Sequence, residues 1–187
     1  MNVDLVIRAQ HGDQQAFASL ARDIAIRLRK VAYGVLRDMD LAEEAAQQAV
    51  LTIWQELPRL RDPARFEPWC FRLLVRRCYA ERRRSAKRAT VPLDALSVEP
   101  AGRDVSHEVA LHDQLARGFA RLSVEHRAVV VLHHQLGLSL EEVGEALDVP
   151  TGTVKSRLHR AMQHLRATLE ADLRRPSPTA AREEVSL

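Results

Sequence analysis

The stretch SLEEVGEALDVPTGTVKSRLHRAMQHL, residues 139–165, decides how the chain is read, because it encodes two short helices joined by a tight turn. Ser139 opens an apolar-periodic run and Glu142 follows three positions later. That is the spacing of a capping box, in which hydroxyl and carboxylate satisfy each other's orphan amides. Leu140, Val143 and Leu147 share the inward face, and the helix ends near Asp148-Val149-Pro150. Thr151 is placed to cap a second helix. There Val154, Leu158, Ala161 and Leu165 fall within about 60° of one another at about 100° per residue, a buried stripe. Ser156, His159, Arg160 and Gln163 lie between about 140° and 240° from Val154, flanked by Lys155 at about 100°. Small and hydrogen-bonding residues followed by cations are what a helix needs to touch base edges and phosphates in a major groove. The segment reads as a DNA-binding helix-turn-helix.

Upstream, residues 1–88 read as consecutive amphipathic helices. The first spans 5–11 and the second 14–37, with Phe17, Leu20, Ile24, Leu28, Val31 and Leu36 at helical spacing. A third starts at Asp40, whose carboxylate can cap it with Glu43 completing a capping box, and stops before Pro58. Its inward stripe is Ala42, Ala46, Ala49, Val50, Ile53 and Leu57, while Glu44, Gln47, Gln48, Leu51 and Gln55 share the other side. Leu51 on that polar face is either an inconsequential exposed leucine or the apolar anchor of a docking surface. A loop over 58–68 carries Arg59, Arg61 and Arg65, and a fourth helix over 69–84 carries Trp69, Leu73, Leu74 and Tyr79 among its arginines. Rings stack on unpaired bases while guanidinium groups meet phosphate, so this region could hold single-stranded nucleic acid; taken singly, Phe66 and Trp69 fit plain core positions better.

Pro92, Pro100 and Gly102, among small and acidic residues, mark 89–106 as a flexible linker. Ser106 can cap the next helix, with Leu111, Leu115, Phe119 and Leu122 on one face. Residues 176–187 read as an unfolded polar tail. The fold class is all-α: two small helical domains, 1–88 and 107–175, the second holding the helix-turn-helix.

Composition bounds the chemistry. The 187 residues are 46% apolar, 28% charged and 4% aromatic with seven glycines, a soluble helical profile. The net charge of +3 hides an asymmetry. Residues 1–90 hold 17 Lys and Arg against 11 Asp and Glu, and the remainder 11 against 14. The run from Arg76 to Arg88 is either a solvated helix end or a phosphate footprint. Cys70 and Cys78 have no metal-ligand spacing and read as reduced packing residues, and the scattered histidines predict no metal. No cofactor is expected. Without a long apolar run or a signal-peptide core, the chain is expected in the cytoplasm, with no membrane insertion. Adjacent Glu43 and Glu44 diverge by about 100° on a helix, which argues against a carboxylate-based hydrolase.

The string over 122–165, with Arg127, Gly137, Ser139, Glu142 and the run Gly152-Thr153-Val154-Lys155-Ser156-Arg157-Leu158-His159-Arg160-Ala161, closely resembles the promoter-reading C-terminal domain of extracytoplasmic-function sigma factors. The N-terminal half resembles the other conserved sigma domain, in residues 13–20, in Ala42-Glu43-Glu44 with Gln47, Leu51 and Trp54, and in Phe66, Trp69 and the arginine-rich helix. The resemblance implies three surfaces. Glu44, Gln47, Gln48 and Leu51 would dock on core RNA polymerase. Arg59, Arg61, Arg65, Trp69, Arg72 and Arg76 would read and open the minus-ten element. Thr153, Lys155, Ser156, His159, Arg160 and Gln163 would read the minus-thirty-five element. It further implies promoter DNA and core RNA polymerase as partners, an anti-sigma factor as a further one, and no catalytic residues. Departures from the family pattern are Gln48 where an acid is usual, Arg76 where Asn is common, and Gly144 in place of alanine. The alternative is a helix-turn-helix regulator that is not a polymerase subunit.

Overall fold

Helix starts and stops follow local chemistry in a computed structural model that describes residues 2–88 and 107–173. Helix α1 (Val3–Gln10) is capped by Asn2, and α2 (Gln14–Leu36) by Asp13, whose carboxylate accepts from the amides of Gln15 and Ala16. Arg37 closes α2 in the left-handed conformation, φ 58°, with its guanidinium over the Tyr33 ring at 5.0 Å. That reversal leaves Asp38 extended, and Asp38, not Asp40, caps α3 (Met39–Glu56) through a 3.0 Å bond from the Leu41 amide. Asp40 instead lies in the first turn, where its charge suits the helix dipole. Two 3-10 turns, Leu57–Arg59 and Pro63–Arg65, lead into α4 (Phe66–Arg88), which is longer at both ends than its periodicity suggested. Phe66, fully buried, anchors its start.

In the second region α5 (His107–Arg121), α6 (Val124–Val130), α7 (Leu140–Leu147) and α8 (Thr151–Leu173) surround a smaller apolar centre. Residues 131–135 continue α6 as a wider π turn. The capping box forms as read, Glu142 amide to Ser139 Oγ at 3.1 Å and Ser139 amide to Glu142 Oε2 at 2.8 Å. Thr151 is the first residue of α8, not its cap; the amides of Thr153 and Val154 bond the Pro150 carbonyl instead. Gly144 has a local reason: a Cβ there would sit 2.9 Å from the Val149 carbonyl oxygen, which the left-handed Asp148 turns back onto α7. On α5, Leu122 just beyond its end is buried and Phe119 half-buried, but Leu115 is exposed, beside a shallow apolar groove with Met162 and Val130. The side chain of Leu111, the linker 89–106 with its Ser106 cap, and the tail 176–187 lie outside the described residues.

The two regions share one apolar cluster. Gly34 lets α6 approach α2, since a Cβ there would be 2.9 Å from Val131 Cγ2. Beside it Arg127, 6% exposed, donates from Nε to the Val35 carbonyl at 2.6 Å and from Nη1 to the Ala120 carbonyl at 3.1 Å. Farther along, α7 packs on α4.

Candidate nucleic-acid interface

The second helix of the pair, α8, is held by Val154, Ala161 and Leu165, all buried, with Leu158 half-buried beside them. This seating turns Lys155, Ser156, His159, Arg160 and Gln163 outward, all exposed, with Thr153 half-buried at the helix start. Ser156 Oγ donates to the Thr153 carbonyl at 3.0 Å, which orients the hydroxyl. Behind this face His126 of α6 and His164 of α8 stand 6.3 Å apart. Burial, then the charge of His164, lowers the pKa of His126, and Arg157 and Arg160 push in the same direction.

The arginine loop is the second surface. The Gln10 amide donates to the Leu57 and Leu60 carbonyls at 3.1 and 2.7 Å, and Asp62 accepts from the Ala64 amide, so the loop is fastened at both turns. Sequence reasoning missed Gln10; its only signal was a polar residue at the end of a short amphipathic helix. The result is a cleft of about 510 Å³ in which Arg59, Arg61, Arg65, Trp69 and Arg72 come together. Arg72 Nε is buried with no hydrogen-bond partner among the described residues. Trp69 is half-buried, 6.1 Å from the Phe66 ring. Arg76 lies outside the cleft, 3.9 Å from Asp148. The rest of the arginine run is divided in role. Arg77 donates to Thr52 Oγ1 at 2.8 Å, and Arg84 pairs at 2.7 Å with Glu81, a buried carboxylate.

The third surface is on α3. Glu44, Gln47, Gln48 and Leu51 are all exposed on one side, Leu51 at 55%. Gln47 Nε2 donates to Glu43 Oε1 at 3.0 Å. The opposite side, including Ala42, Ala45, Ala46, Ala49 and Ile53, is buried. Trp54 borders the polar face, 40% exposed and packed against Phe17 in a tilted pair with ring centroids 4.4 Å apart. Among the described residues no three His, Cys, Asp or Glu side chains are placed to hold a metal ion, and no helix is long and apolar enough to cross a membrane.

Helical structure with no strand among the described residues, an exposed helix face on α8, and a basic, aromatic-bearing cleft that α7 borders together suit a promoter-recognising protein. Residues 20–88 match the model of sigma-70 region 2 and residues 118–167 that of sigma-70 region 4. The chain is 34% identical over 165 residues to the ECF RNA polymerase sigma factor SigM of Mycobacterium tuberculosis, covering 88% of this chain and 82% of that one. It is 27% identical to SigW of Bacillus subtilis, covering 87% and 93%. Among solved structures, CnrH in complex with the cytosolic domain of CnrY shares the fold at a TM-score of 0.65 and 24% identity, covering 91% of this chain and 97% of that one. The sigma factor RpoE of Bartonella quintana, in complex with the anti-sigma factor NepR, does so at 0.64 and 22%, covering 83% and 98%. The chain belongs to the extracytoplasmic-function RNA polymerase sigma factors, and directs promoter-specific transcription.

Proposed function

We propose that this sigma factor docks on core RNA polymerase through Glu44, Gln47, Gln48 and Leu51, reads the minus-thirty-five element with Thr153, Lys155, Ser156, His159, Arg160 and Gln163, and captures the minus-ten strand with Arg59, Arg61, Arg65, Trp69, Arg72 and Arg76. One observation carries the reading: five of the six minus-ten residues, drawn from a loop and a helix, converge on a single cleft. Guanidinium forks suit phosphate, and an indole face suits an unstacked base. Domain bounds of 1–88 and 107–175, joined by 89–106 and followed by a tail at 176–187, divide the work between the two elements. The protein acts in the cytoplasm as a dissociable subunit without catalytic chemistry of its own. An anti-sigma factor is a further partner, supported by two fold neighbours solved in complex with CnrY and NepR. A regulator using the helix-turn-helix alone has no need of a region 2, and this chain matches one. The test is genome-wide transcription with purified protein and core polymerase. New start sites sharing two spaced elements are expected, and failure to direct polymerase to any promoter overturns the reading.

A further inference from the structure

We propose that Gln10 is a positioning residue for minus-ten recognition: by holding the backbone of Leu57 and Leu60 it fixes where Arg59 and Arg61 stand, and so sets how sharply the cleft discriminates between bases. The inference rests on the assignment of that cleft to the minus-ten strand. Leu60 lies in the cleft lining between Arg59 and Arg61. Its carbonyl accepts from Gln10 Nε2 at 2.7 Å, and the same nitrogen donates to the Leu57 carbonyl at 3.1 Å. The Leu57 carbonyl also closes the first 3-10 turn by accepting from the Leu60 amide at 3.1 Å. One side-chain amide thus holds the backbone on both sides of Arg59 and immediately before Arg61. Pro58 and Pro63 bring no amide hydrogen, so this stretch cannot build a ladder of its own and takes a donor from another element.

Gln10 can serve as that fixed point because its own backbone is tied down twice. Val6 and Ala9 bury the inner side of α1 in the core. Beyond the bend at Gly12, φ 91°, Asp13 pairs with Arg8 through Nε at 2.9 Å and Nη2 at 2.6 Å while it caps α2. Arg59 and Arg61 are exposed on a loop, where the course of the backbone decides which way a side chain reaches. A site that discriminates needs its groups held to within about 0.5 Å by supporting hydrogen bonds. Gln10 does not line the cleft, so it acts through Leu57 and Leu60. Two neutral hydrogen bonds at a half-buried side chain add little to global stability, so their loss shifts the loop and leaves the fold standing. Residue 10 also lies ahead of the stretch 20–88 that matches region 2, so this strut comes from outside that match.

Three variants separate the donor from the side chain that carries it. Gln10→Met keeps the length without a donor, Gln10→Glu keeps the shape but turns an acceptor toward two carbonyls, and Gln10→Lys restores a donor. Holoenzyme assembled from core polymerase and each full chain transcribes libraries of a promoter defined by the genome-wide experiment, randomised in either the minus-ten or the minus-thirty-five element. The methionine and glutamate variants are expected to lose about tenfold in preference for the best minus-ten sequence over single-base changes, the discrimination that one base contact supplies. Preference at the minus-thirty-five element should not change, and the lysine variant should regain the minus-ten preference. Hydrogen exchange at the amides of residues 59–62 in the free chain should quicken in the first two variants and not in the third. Wild-type minus-ten preference in both donorless variants overturns the inference. So does an equal loss at both elements, which marks damage to the fold, or a lysine variant no more selective than the methionine one. Arg59→Ala with Arg61→Ala is run alongside. If that double variant keeps the wild-type minus-ten preference, the cleft reading falls and takes the inference with it; if it loses that preference and the donorless variants do not, only the inference falls.

Discussion

Arg127 shows how much one buried charge can organise. Burial, then the charges of Arg82 and Arg37, lowers its pKa, yet a guanidinium keeps its proton in proteins. Its two backbone bonds explain why a charged residue sits at 6% exposure. Arg127→Met preserves volume but leaves the Val35 and Ala120 carbonyls without donors; a loss of about 1–3 kcal/mol in urea unfolding is expected. An unchanged midpoint would show that water replaces the guanidinium. His126 makes a pH prediction. Its folded pKa is lowered from 6.5, so the unfolded chain binds the proton more readily. Its contribution to stability is therefore intact above 6.5 and declines as pH falls through that value. Thermal melts at pH values spanning about 5.5 to 7.5 should show a drop on acidification that His126→Gln flattens; equal slopes would assign the drop to other groups.

At the scale of elements, each surface is a helix face whose opposite side is core, so truncating an outward residue separates binding from folding. Leu51→Ala, at a 55% exposed position, should shift stability by no more than about 0.5 kcal/mol while weakening capture by core polymerase. A large loss of melting temperature would place Leu51 in the core instead. On α8, Arg160→Ala or Lys155→Ala should cost about 1–3 kcal/mol in promoter affinity where the side chain reads a base. Where it meets a phosphate, the salt dependence of binding should flatten instead. Equal binding across a salt series would remove that residue from the interface. Elements were legible where the signal is local: the capping box of α7, the stripes of α2 and α8, and the polar face of α3 all stand as read. The start of α3 was not, because two aspartates compete. Arg37 in the left-handed conformation decides between them by leaving Asp38 extended.

On the scale of the whole molecule, one apolar cluster running through both regions predicts cooperative unfolding. Differential scanning calorimetry of the wild-type chain should give a single transition, and Gly34→Leu should split it into two. Two transitions in the wild type would mean that the regions melt independently despite their contact. By itself the sequence determined the helices, the helix-turn-helix, the basic and polar faces and the family. Those features rest on caps, periodicity and charge within a few turns, which the order of residues specifies directly. Only the tertiary structure decided that Arg59, Arg61, Arg65, Trp69 and Arg72 share a cleft, that Gln10 fastens it, and that Glu145 pairs with Arg65 there while Asp148 faces Arg76 outside it. Arg127 and Val35 are 92 positions apart. Contacts at that separation carry no periodic signature along the chain; they form only where close-packed surfaces such as Gly34 and Val131 let two helices meet.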